Sequence, residues 1–495
     1  MNLRKSALQI SIINATGTIL GFIVHILLGR EFGVSWELDC LFISLLIFSF
    51  FGIFNILITS LLIPIFNEIK AKDEKDSFVF ADVTFKWSLS IGIIIWLFIL
   101  TTSPLIIKLF ASGFDEKAIS LTSEILKILF IGYIFYNLTS SISTILNALY
   151  FFFMPVFISL LGPIFNITAI IFLTPKYGVK SIAISYLFSN ILQIFILIPY
   201  LFVKTNWRPT LKIYHNKLPE LFRHSSKTLA SSLIWSIWDI ISRNIASHLG
   251  SGMIVLLSYA EKIISILHQT IISPTSSVFY SKVSELIALV KWNEVRNLMM
   301  KILQVNISIS IMVSAGIIVF LKPLLTILFL NSKFTLNDIN TLSYLMIIEI
   351  IYLLSLSLEL PLIKVIYSAK MTNIALLVPS IGVILFYILS NILSNLLGIY
   401  GLVLSMSISR IPIFILYFYF LSRYINTTFG KTFRPLIKNS IFAAVFISIG
   451  LFINWNIKKD IFILMFWVPI WTVIYFLTFR YILKEEWGIL INREV

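Results

Sequence analysis

The sequence predicts an all-α polytopic membrane protein of about fourteen transmembrane helices. Hydrophobic residues make up 58% of its 495 residues and charged residues only 12%, and the mean hydropathy is +0.97, whereas a soluble domain is roughly half apolar and a quarter charged. The longest hydrophilic segments, near 70–76 and 204–227, have only the length of loops. We therefore expect the chemistry of this chain to take place in or beside a membrane.

Charge clusters and Gly, Pro or Asn residues divide the chain into apolar segments of membrane-crossing length. The first segment, 6–28, is too long for the core of a signal peptide and lacks a small-residue cleavage site, so we interpret it as a retained helix. The predicted spans 1 to 14 lie near 6–29, 37–67, 83–111, 119–149, 155–174, 179–203, 221–249, 253–287, 297–329, 338–368, 372–397, 400–424, 437–455 and 461–483.

The distribution of Lys and Arg predicts the orientation. An even number of spans puts both termini on one side, and of the 38 Lys and Arg residues, 23 then lie on that side and nine in the opposite loops. Positive residues accumulate in cytoplasmic segments. The sequence thus predicts a multi-pass protein of a bacterial inner membrane with both termini cytoplasmic.

A faint internal repeat divides the chain into two halves. In each half a helix ends near a glycine (Gly33, Gly250), and the long helix that follows has a proline (Pro64, Pro274) before a charged cytoplasmic tail. Transporters are often built from such repeats. The predicted division is an N-lobe at 1–204 (spans 1–6), a cytoplasmic linker at 205–220, a C-lobe at 221–424 (spans 7–12) and two C-terminal helices at 425–495.

Composition and motifs argue against several classes of function. A single cysteine, Cys40, and five scattered histidines do not predict a metal site. The net charge of +15 follows from the orientation rather than from a basic domain that would bind nucleic acid. No catalytic motif and no nucleotide or cofactor site is found. Transport would therefore depend on Na⁺ or H⁺ coupling, on the membrane potential or on substrate flux.

Polar residues in spans 1 and 2 are the first candidate site. Asn14, Thr18, Gly21 and His25 form one stripe along span 1, which predicts either a cavity-facing surface or a helix-packing surface. Asp39, at the start of span 2, either caps that helix or binds a cationic partner that it releases during a conformational cycle.

Span 7 suggests a coupling-cation site. Asp239 and Arg243 share one helix face, so they form either a charge-hiding ion pair or an acidic site for a cation. In the second case Asn391, Asn395 and Ser407 would supply further oxygen ligands, which hard cations prefer.

Span 8 carries Glu261 and Lys262. A lysine within a span is a natural counter-charge for a phosphate group, although it acts as a point charge and not as a bidentate fork; the alternative is that Glu261 or Asp39 neutralises it. For Glu359 and Lys364 in span 10 we expect a structural ion pair.

Several short segments share a pattern with a known family. They are residues 21–22 (GF), 30–33 (REFG), 39–42 (DCLF), 259–262 (YAEK), 334–335 (FT) and 367–373 (YSAKMTN). These segments resemble the G-F-x-R, F-G, D-A-F, Y-A-D-R, K-F-T and Y-S/A-x-x-D-x-K-T-P elements of the MurJ/MviN-type lipid II flippases, which belong to the multidrug/oligosaccharidyl-lipid/polysaccharide exporter superfamily. The resemblance implies two pseudo-symmetric lobes around a central cationic cavity, a hydrophobic groove from spans 13 and 14, and alternating access that carries an undecaprenyl-diphosphate-linked saccharide outward.

The chain also departs from that family. Thr18, Val24 and Gly52 stand where the family has cavity arginines, and its Asp-Arg pair is Glu261-Lys262 here. These changes remove bidentate diphosphate binders, so a flippase for another polyprenyl-linked glycan, such as an O-antigen or capsule unit, is the main alternative to a lipid II flippase.

Three further classes fit the sequence less well. A cation-coupled drug exporter would have an acidic, aromatic cavity, a membrane glycosyltransferase would need a catalytic base and a large outer loop, and a scaffold would not need intramembrane charges. We expect a monomeric transporter, not an enzyme, whose partners are the polyprenyl-diphosphate-linked saccharide and membrane lipids. The predicted substrate-binding residues are Lys262, Asp39, His25, Arg30, Glu261 and Arg243.

Overall fold

The protein is helical throughout the part of the chain that the structure describes. This computed structural model describes residues 3–331, 333–425, 440–441, 443–452 and 468–477. Its helices are α1 (Leu3–Phe32), α2 (Trp36–Gly52), α3 (Ile56–Thr59), α4 (Leu62–Lys70), α5 (Glu74–Phe110), α6 (Glu116–Ala148), α7 (Phe153–Ser159), α8 (Leu161–Phe172), α9 (Thr174–Tyr177), α10 (Lys180–Lys204), α11 (Leu218–His248), α12 (Met253–Leu267), α13 (Ser273–Ala288), α14 (Trp292–Phe329), α15 (Leu336–Ser368), α16 (Thr372–Leu397), α17 (Ile399–Ile425), α18 (Ala443–Phe452) and α19 (Val468–Leu477).

The all-helical membrane fold predicted from the sequence is confirmed. Eleven helices of the described residues are long and apolar enough to cross a membrane, and α11, which contains Asp239 and Arg243, adds a helix of 31 residues. Helices α18 and α19 fall within predicted spans 13 and 14, whose remaining residues lie outside the described ranges. The number of fourteen spans is consistent with this arrangement.

Spans 2 and 8 are predicted as continuous helices, but both are interrupted. Span 2 passes from α2 through a 3₁₀ turn at Ile53–Asn55 into α3 and α4, and span 8 has a π-helical turn at His268–Ile272 between α12 and α13. The π turn and the turn at residues 60–61, between α3 and α4, lie just before Pro274 and Pro64, whose nitrogens have no hydrogen for the helical ladder; the 3₁₀ turn lies farther upstream of Pro64. The two halves of the predicted repeat thus share a broken second helix.

The chain separates into two compact units, Met1–Val255 and Leu256–Val495. In the first unit α6 packs against α2, α5 and α10, α8 packs against α1 and α10, and α11 packs against α3 and α5. Gly92 allows α5 to approach α6 closely, because a Cβ there would lie 2.9 Å from the backbone of Ile134. Span 7 therefore contacts the N-terminal helices, whereas the lobe division drawn from the sequence places it in the C-lobe; that division remains a prediction.

In the second unit α15 lies among α13, α14 and α17, and α16 packs along α17. Asn306 of α14 is fully buried, and its amide donates to the carbonyl of Ser357 at 2.9 Å and to the Ser276 hydroxyl at 3.3 Å. Gly401, in the first turn of α17, lets α17 approach the end of α16 closely, since a Cβ at this position would collide with the carbonyl of Leu393. Buried polar links and close backbone contacts therefore order this helix layer.

Candidate functional site

Asp39 is a buried carboxylate that caps the N-terminus of α12. Its Oδ1 accepts a hydrogen bond from the backbone amide of Val255 at 2.8 Å, and its Oδ2 accepts one from Gly252 at 2.5 Å. The side chain is only 3% exposed. The prediction that Asp39 caps α2 is wrong. That cap is Ser35, whose hydroxyl accepts a hydrogen bond from Leu38 N at 3.3 Å. The first turn of α12 thus satisfies its free amides with a charge from another helix.

A polar cavity of about 620 Å³ lies beside Asp39 in the first unit. Three connections meet there: α1–α2, α5–α6 and α11–α12. Gly113 donates its amide to the Ser247 hydroxyl at 3.0 Å, and a Cβ on Gly113 would lie 2.4 Å from the Ser247 carbonyl oxygen. The lining residues are Trp36, Asp39, Gly113, Phe114, Asp115, Lys117, Ala118, Ser247, His248, Gly250 and Ser251.

The polar stripe of span 1 follows the open side of α1. Asn14 and Thr18 are exposed, and the Thr18 hydroxyl donates to the carbonyl of Asn14 at 3.0 Å. His25 is half-buried, with its ring centroid 6.1 Å from that of Phe42, and Arg30 is exposed. The helix-packing role is thus not supported at Asn14 and Thr18, while the roles of His25 and Arg30 remain predictions.

Lys262 is exposed on α12, next to the half-buried Glu261. Within the described ranges no carboxylate lies at ion-pair distance from its ammonium group. A charged side chain within a membrane span usually has a partner or faces water. The neutralisation of Lys262 by a neighbouring carboxylate is thus not observed in the described part of the chain, and its role as a counter-charge for a phosphate group remains a prediction.

The proposed cation ligands have different environments. On α11, Asp239 is exposed, while Arg243 is half-buried and donates to the Ser242 hydroxyl at 3.0 Å. Asn391 and Asn395 are exposed on α16. Ser407 is fully buried, and its hydroxyl donates to the carbonyl of Ile348 at 3.2 Å. This coupling-cation site remains a prediction.

A buried ion pair joins α15 and α17. Arg410 Nη1 lies 3.3 and 3.2 Å from the two carboxylate oxygens of Glu359, and Arg410 Nη2 lies 3.3 Å from the Tyr352 hydroxyl. The expected pair of Glu359 with Lys364 is wrong: five residues along a helix place the two side chains on different faces, and the Lys364 ammonium lies 4.9 Å from the ring centroid of Tyr280.

An apolar groove of about 440 Å³ lies in the second unit between α12, α14 and α19. Trp471 of α19 forms one wall, with its ring centroid 5.6 Å from that of Phe320 and 4.7 Å from that of Phe446. Gly316 leaves room beside the indole, where a Cβ would lie 3.4 Å from Nε1. The described part of span 14 therefore lines an apolar groove together with spans 8 and 9, and the groove from spans 13 and 14 that the resemblance implies remains a prediction.

Comparisons with known proteins identify the family. The family model for the lipid II flippase MurJ matches residues 28–472. The chain is 28% identical over 451 residues to a probable lipid II flippase MurJ of Buchnera aphidicola subsp. Schizaphis graminum, covering 84% of this chain and 83% of the relative. It is 23% identical over 472 residues to that of Thermotoga maritima, covering 92% of each.

Solved structures show the same fold. A lipid II flippase MurJ in an inward closed conformation superimposes with a TM-score of 0.81 at 23% identity, covering 98% of this chain and 99% of that one. An inward-facing MATE multidrug transporter of the MOP superfamily gives 0.72 at 18% identity, covering 83% and 94%. The expected resemblance and the transporter class are thus confirmed, and the chain is a multi-pass inner-membrane transporter that belongs to the lipid II flippase MurJ family.

Proposed function

We propose that this protein moves an undecaprenyl-diphosphate-linked saccharide, lipid II in the first place, from the cytoplasmic to the outer leaflet by alternating access. Membership of the family supports this function, and the observation that carries it is Lys262. Its ammonium group is exposed and has no carboxylate partner among the described side chains. An intramembrane cation of this kind suits a diphosphate.

The other predicted residues would assist Lys262. His25, Arg30 and Arg243 would add positive charge, and Glu261 would help to orient the lysine and to release the head group. A lysine binds phosphate less specifically than an arginine fork, and spans 1 and 2 carry Thr18, Val24 and Gly52 in place of arginines. This chemistry favours one second candidate, a flippase for another polyprenyl-linked glycan.

Asp39 supplies a closure that alternating access requires. Its carboxylate holds the first turn of α12 through two backbone amides, so the outer end of this unit is closed while the bonds exist. Opening would break them and leave a buried carboxylate that must find water or a substrate group. The transported substrate must bind the closed and open conformations with different affinities, because a ligand that binds both equally does not shift the equilibrium between them.

The apolar groove would hold the polyprenyl tail. Its walls of isoleucine, leucine, methionine, phenylalanine and tryptophan match an isoprenoid chain, and burying such a chain is favourable at about 25 cal/mol per Å². We further propose that the protein is monomeric, that both termini face the cytoplasm, and that Na⁺ or H⁺ coupling through Asp239, or the membrane potential, drives transport.

A reconstituted flipping assay tests the role of Lys262. Vesicles with the purified protein and fluorescent lipid II would be treated with an impermeant quencher of the outer leaflet. Lys262→Gln should lower the flipping rate by about tenfold or more, the value of a hydrogen bond to a charged group, and Lys262→Arg should retain most of it. Lys301→Gln, which removes an exposed lysine of α14, is the matched control; equal rates for the Gln variants would refute this role.

Complementation separates the two candidate substrates. The chain would be expressed in a host depleted of its essential lipid II flippase and, separately, in mutants that lack an O-antigen or capsule flippase. Growth of the depleted host supports lipid II. If the chain inserts into the membrane and rescues only the second set, its cargo is another polyprenyl-linked glycan.

A further inference from the structure

The segment between α10 and α11, residues 205–217, is fastened along the first part of α5. The buried carboxylate of Asp82 accepts hydrogen bonds from the Thr210 amide at 3.0 Å and the Thr210 hydroxyl at 2.7 Å. Lys86 pairs with Asp82 at 2.8 Å and donates to the carbonyls of Thr210 and Lys212. We call residues 205–217 the strap.

Both ends of the strap are also fixed. The Trp207 side chain is buried and its ring centroid lies 5.9 Å from that of Phe85. At the other end Lys217 contacts Glu220 at 2.8 Å and Glu68 at 3.0 Å. The hydrogen bonds that Lys217 donates to Glu220 and Glu68 hold its pKa above the usual value. The strap therefore has one defined outward surface.

The lipid-facing side of α5 gives the depth of the strap in the membrane. Exposed apolar side chains run along this helix from Trp87 to Leu109, a distance of about 33 Å at the α-helical rise. This length matches the hydrocarbon core of roughly 30 Å, so Trp87 lies at the cytoplasmic boundary, where tryptophan is enriched. The Trp87 indole donates to the carbonyl of Ile213 at 3.0 Å. The middle of the strap thus lies at the membrane–water interface.

The outward surface of the strap combines large apolar side chains with positive charge. Leu211 is fully exposed, and Ile213 and Tyr214 are 73% and 58% exposed. Lys212, between Leu211 and Ile213, and Arg208, three residues before Leu211, are also exposed. No carboxylate of the described chain pairs with either cation. The cations at the two fastenings, by contrast, are paired.

We propose that the strap is an interfacial anchor that binds anionic lipid of the cytoplasmic leaflet. Leu211, Ile213 and Tyr214 enter the boundary between head groups and acyl chains, and Arg208 and Lys212 bind lipid phosphates. Apolar side chains together with basic residues are what binds a surface of anionic lipid. The bonds of Asp82 and Lys86 orient the strap so that this surface faces the bilayer. This surface is separate from the residues assigned to the transported substrate.

The depth of Leu211 can be measured in bilayers. Full-length protein with Cys40→Ser and Leu211→Cys would be labelled with an environment-sensitive fluorophore and reconstituted into vesicles of phosphatidylcholine with or without phosphatidylglycerol. Lys75→Cys is the control, because position 75 is exposed about 18 Å beyond Trp87 along α5. We expect blue-shifted emission and quenching by brominated lipids at position 211 and neither effect at position 75. The proposal is overturned if the probe at position 211 is as hydrated as the probe at position 75. Such hydration is expected of a surface that binds a soluble protein.

The preference for anionic lipid is tested with bromine placed on either lipid. Quenching by brominated phosphatidylglycerol should exceed quenching by brominated phosphatidylcholine, and Arg208→Gln with Lys212→Gln should lower this preference by about fivefold per charge. Lys301→Gln should leave it unchanged. Equal quenching by the two lipids in the parent protein would show that the surface does not select anionic lipid, and the proposal would fail.

Discussion

Replacing Asp39 by asparagine should open the outer end of the first unit. Asparagine keeps the size of aspartate but has one acceptor oxygen, whereas the Asp39 carboxylate accepts from Gly252 and Val255 with separate oxygens. The loss is about 2–4 kcal/mol, composed of one hydrogen bond to a charged group at roughly 1.5–3 kcal/mol and the interaction with the positive end of α12 at roughly 0.3–1 kcal/mol. This energy corresponds to a shift of about 30- to 700-fold toward the open state.

The native cysteine reports this opening. Cys40 follows Asp39, is the single cysteine of the chain, and is fully buried. An impermeant maleimide added to the outer face of cells should label Cys40 slowly in the parent protein. In Asp39→Asn the labelling rate should rise in proportion to the open fraction, by more than tenfold.

Glu37→Gln is the matched control, since Glu37 is a half-buried carboxylate in the first turn of the same helix. Its labelling rate should stay at the parent level. If Asp39→Asn inserts and folds but labels no faster than Glu37→Gln, then the hydrogen bonds to α12 do not control access and the reasoning is refuted. Labelling from the cytoplasmic face alone would contradict the proposed orientation.

Three further changes test the packing and the groove. Gly113→Ala should lower the free energy of unfolding by the overpacking cost of about 1–3 kcal/mol, measured in thermal unfolding, because a Cβ there meets backbone atoms at 2.4 Å. Gly162→Ala, whose Cβ meets nothing within 4 Å, should not lower it. Arg410→Met leaves buried Glu359 without its guanidinium and should cost about 3–5 kcal/mol in thermal or denaturant unfolding, most of it recovered in the double variant with Glu359→Gln; a double variant as unstable as the single one would contradict this. Gly316→Leu narrows the apolar groove and should slow flipping of undecaprenyl substrates but not of short-chain analogues, whereas equal slowing of both would place the tail elsewhere.

The membrane spans could be predicted from the sequence because their signal is local. Spans 1 to 12 correspond to described helices, and glycines at the expected ends, Gly33 and Gly250, have positive φ angles of 63° and 120°. The π turn of span 8 and the turn at residues 60–61 of span 2 carried a usable signal in Pro274 and Pro64, whose missing amide hydrogens interrupt the helical ladder, but the 3₁₀ turn at Ile53–Asn55 did not. The type of turn at each break, 3₁₀ or π, depends on packing and could not be predicted.

The partners of Asp39 and Glu359 could not be predicted, because each partner lies far away in the sequence. Asp39 meets Val255 216 positions later, and Glu359 meets Arg410 51 positions later. Sequence spacing indicates which residues lie close together along one helix. The ion pair of Glu359 with Lys364 that it predicts is wrong. For Asp39 it correctly indicated a capping carboxylate but suggested the wrong helix.

Whether a charged side chain has a partner within the fold separates structural residues from those proposed for transport. Burial of an ion without a partner costs several kcal/mol, and three buried carboxylates avoid this cost within the fold: Asp39 on the amides of α12, Asp82 on Lys86 and the strap, and Glu359 on Arg410. These charges are used to hold helices together, and changing them should alter closure or stability first. Lys262 differs because it is exposed and has no such carboxylate partner in the described chain. In the proposed function a substrate phosphate would therefore bind Lys262 without breaking a structural pair, and its binding energy would remain available to bias the conformational cycle.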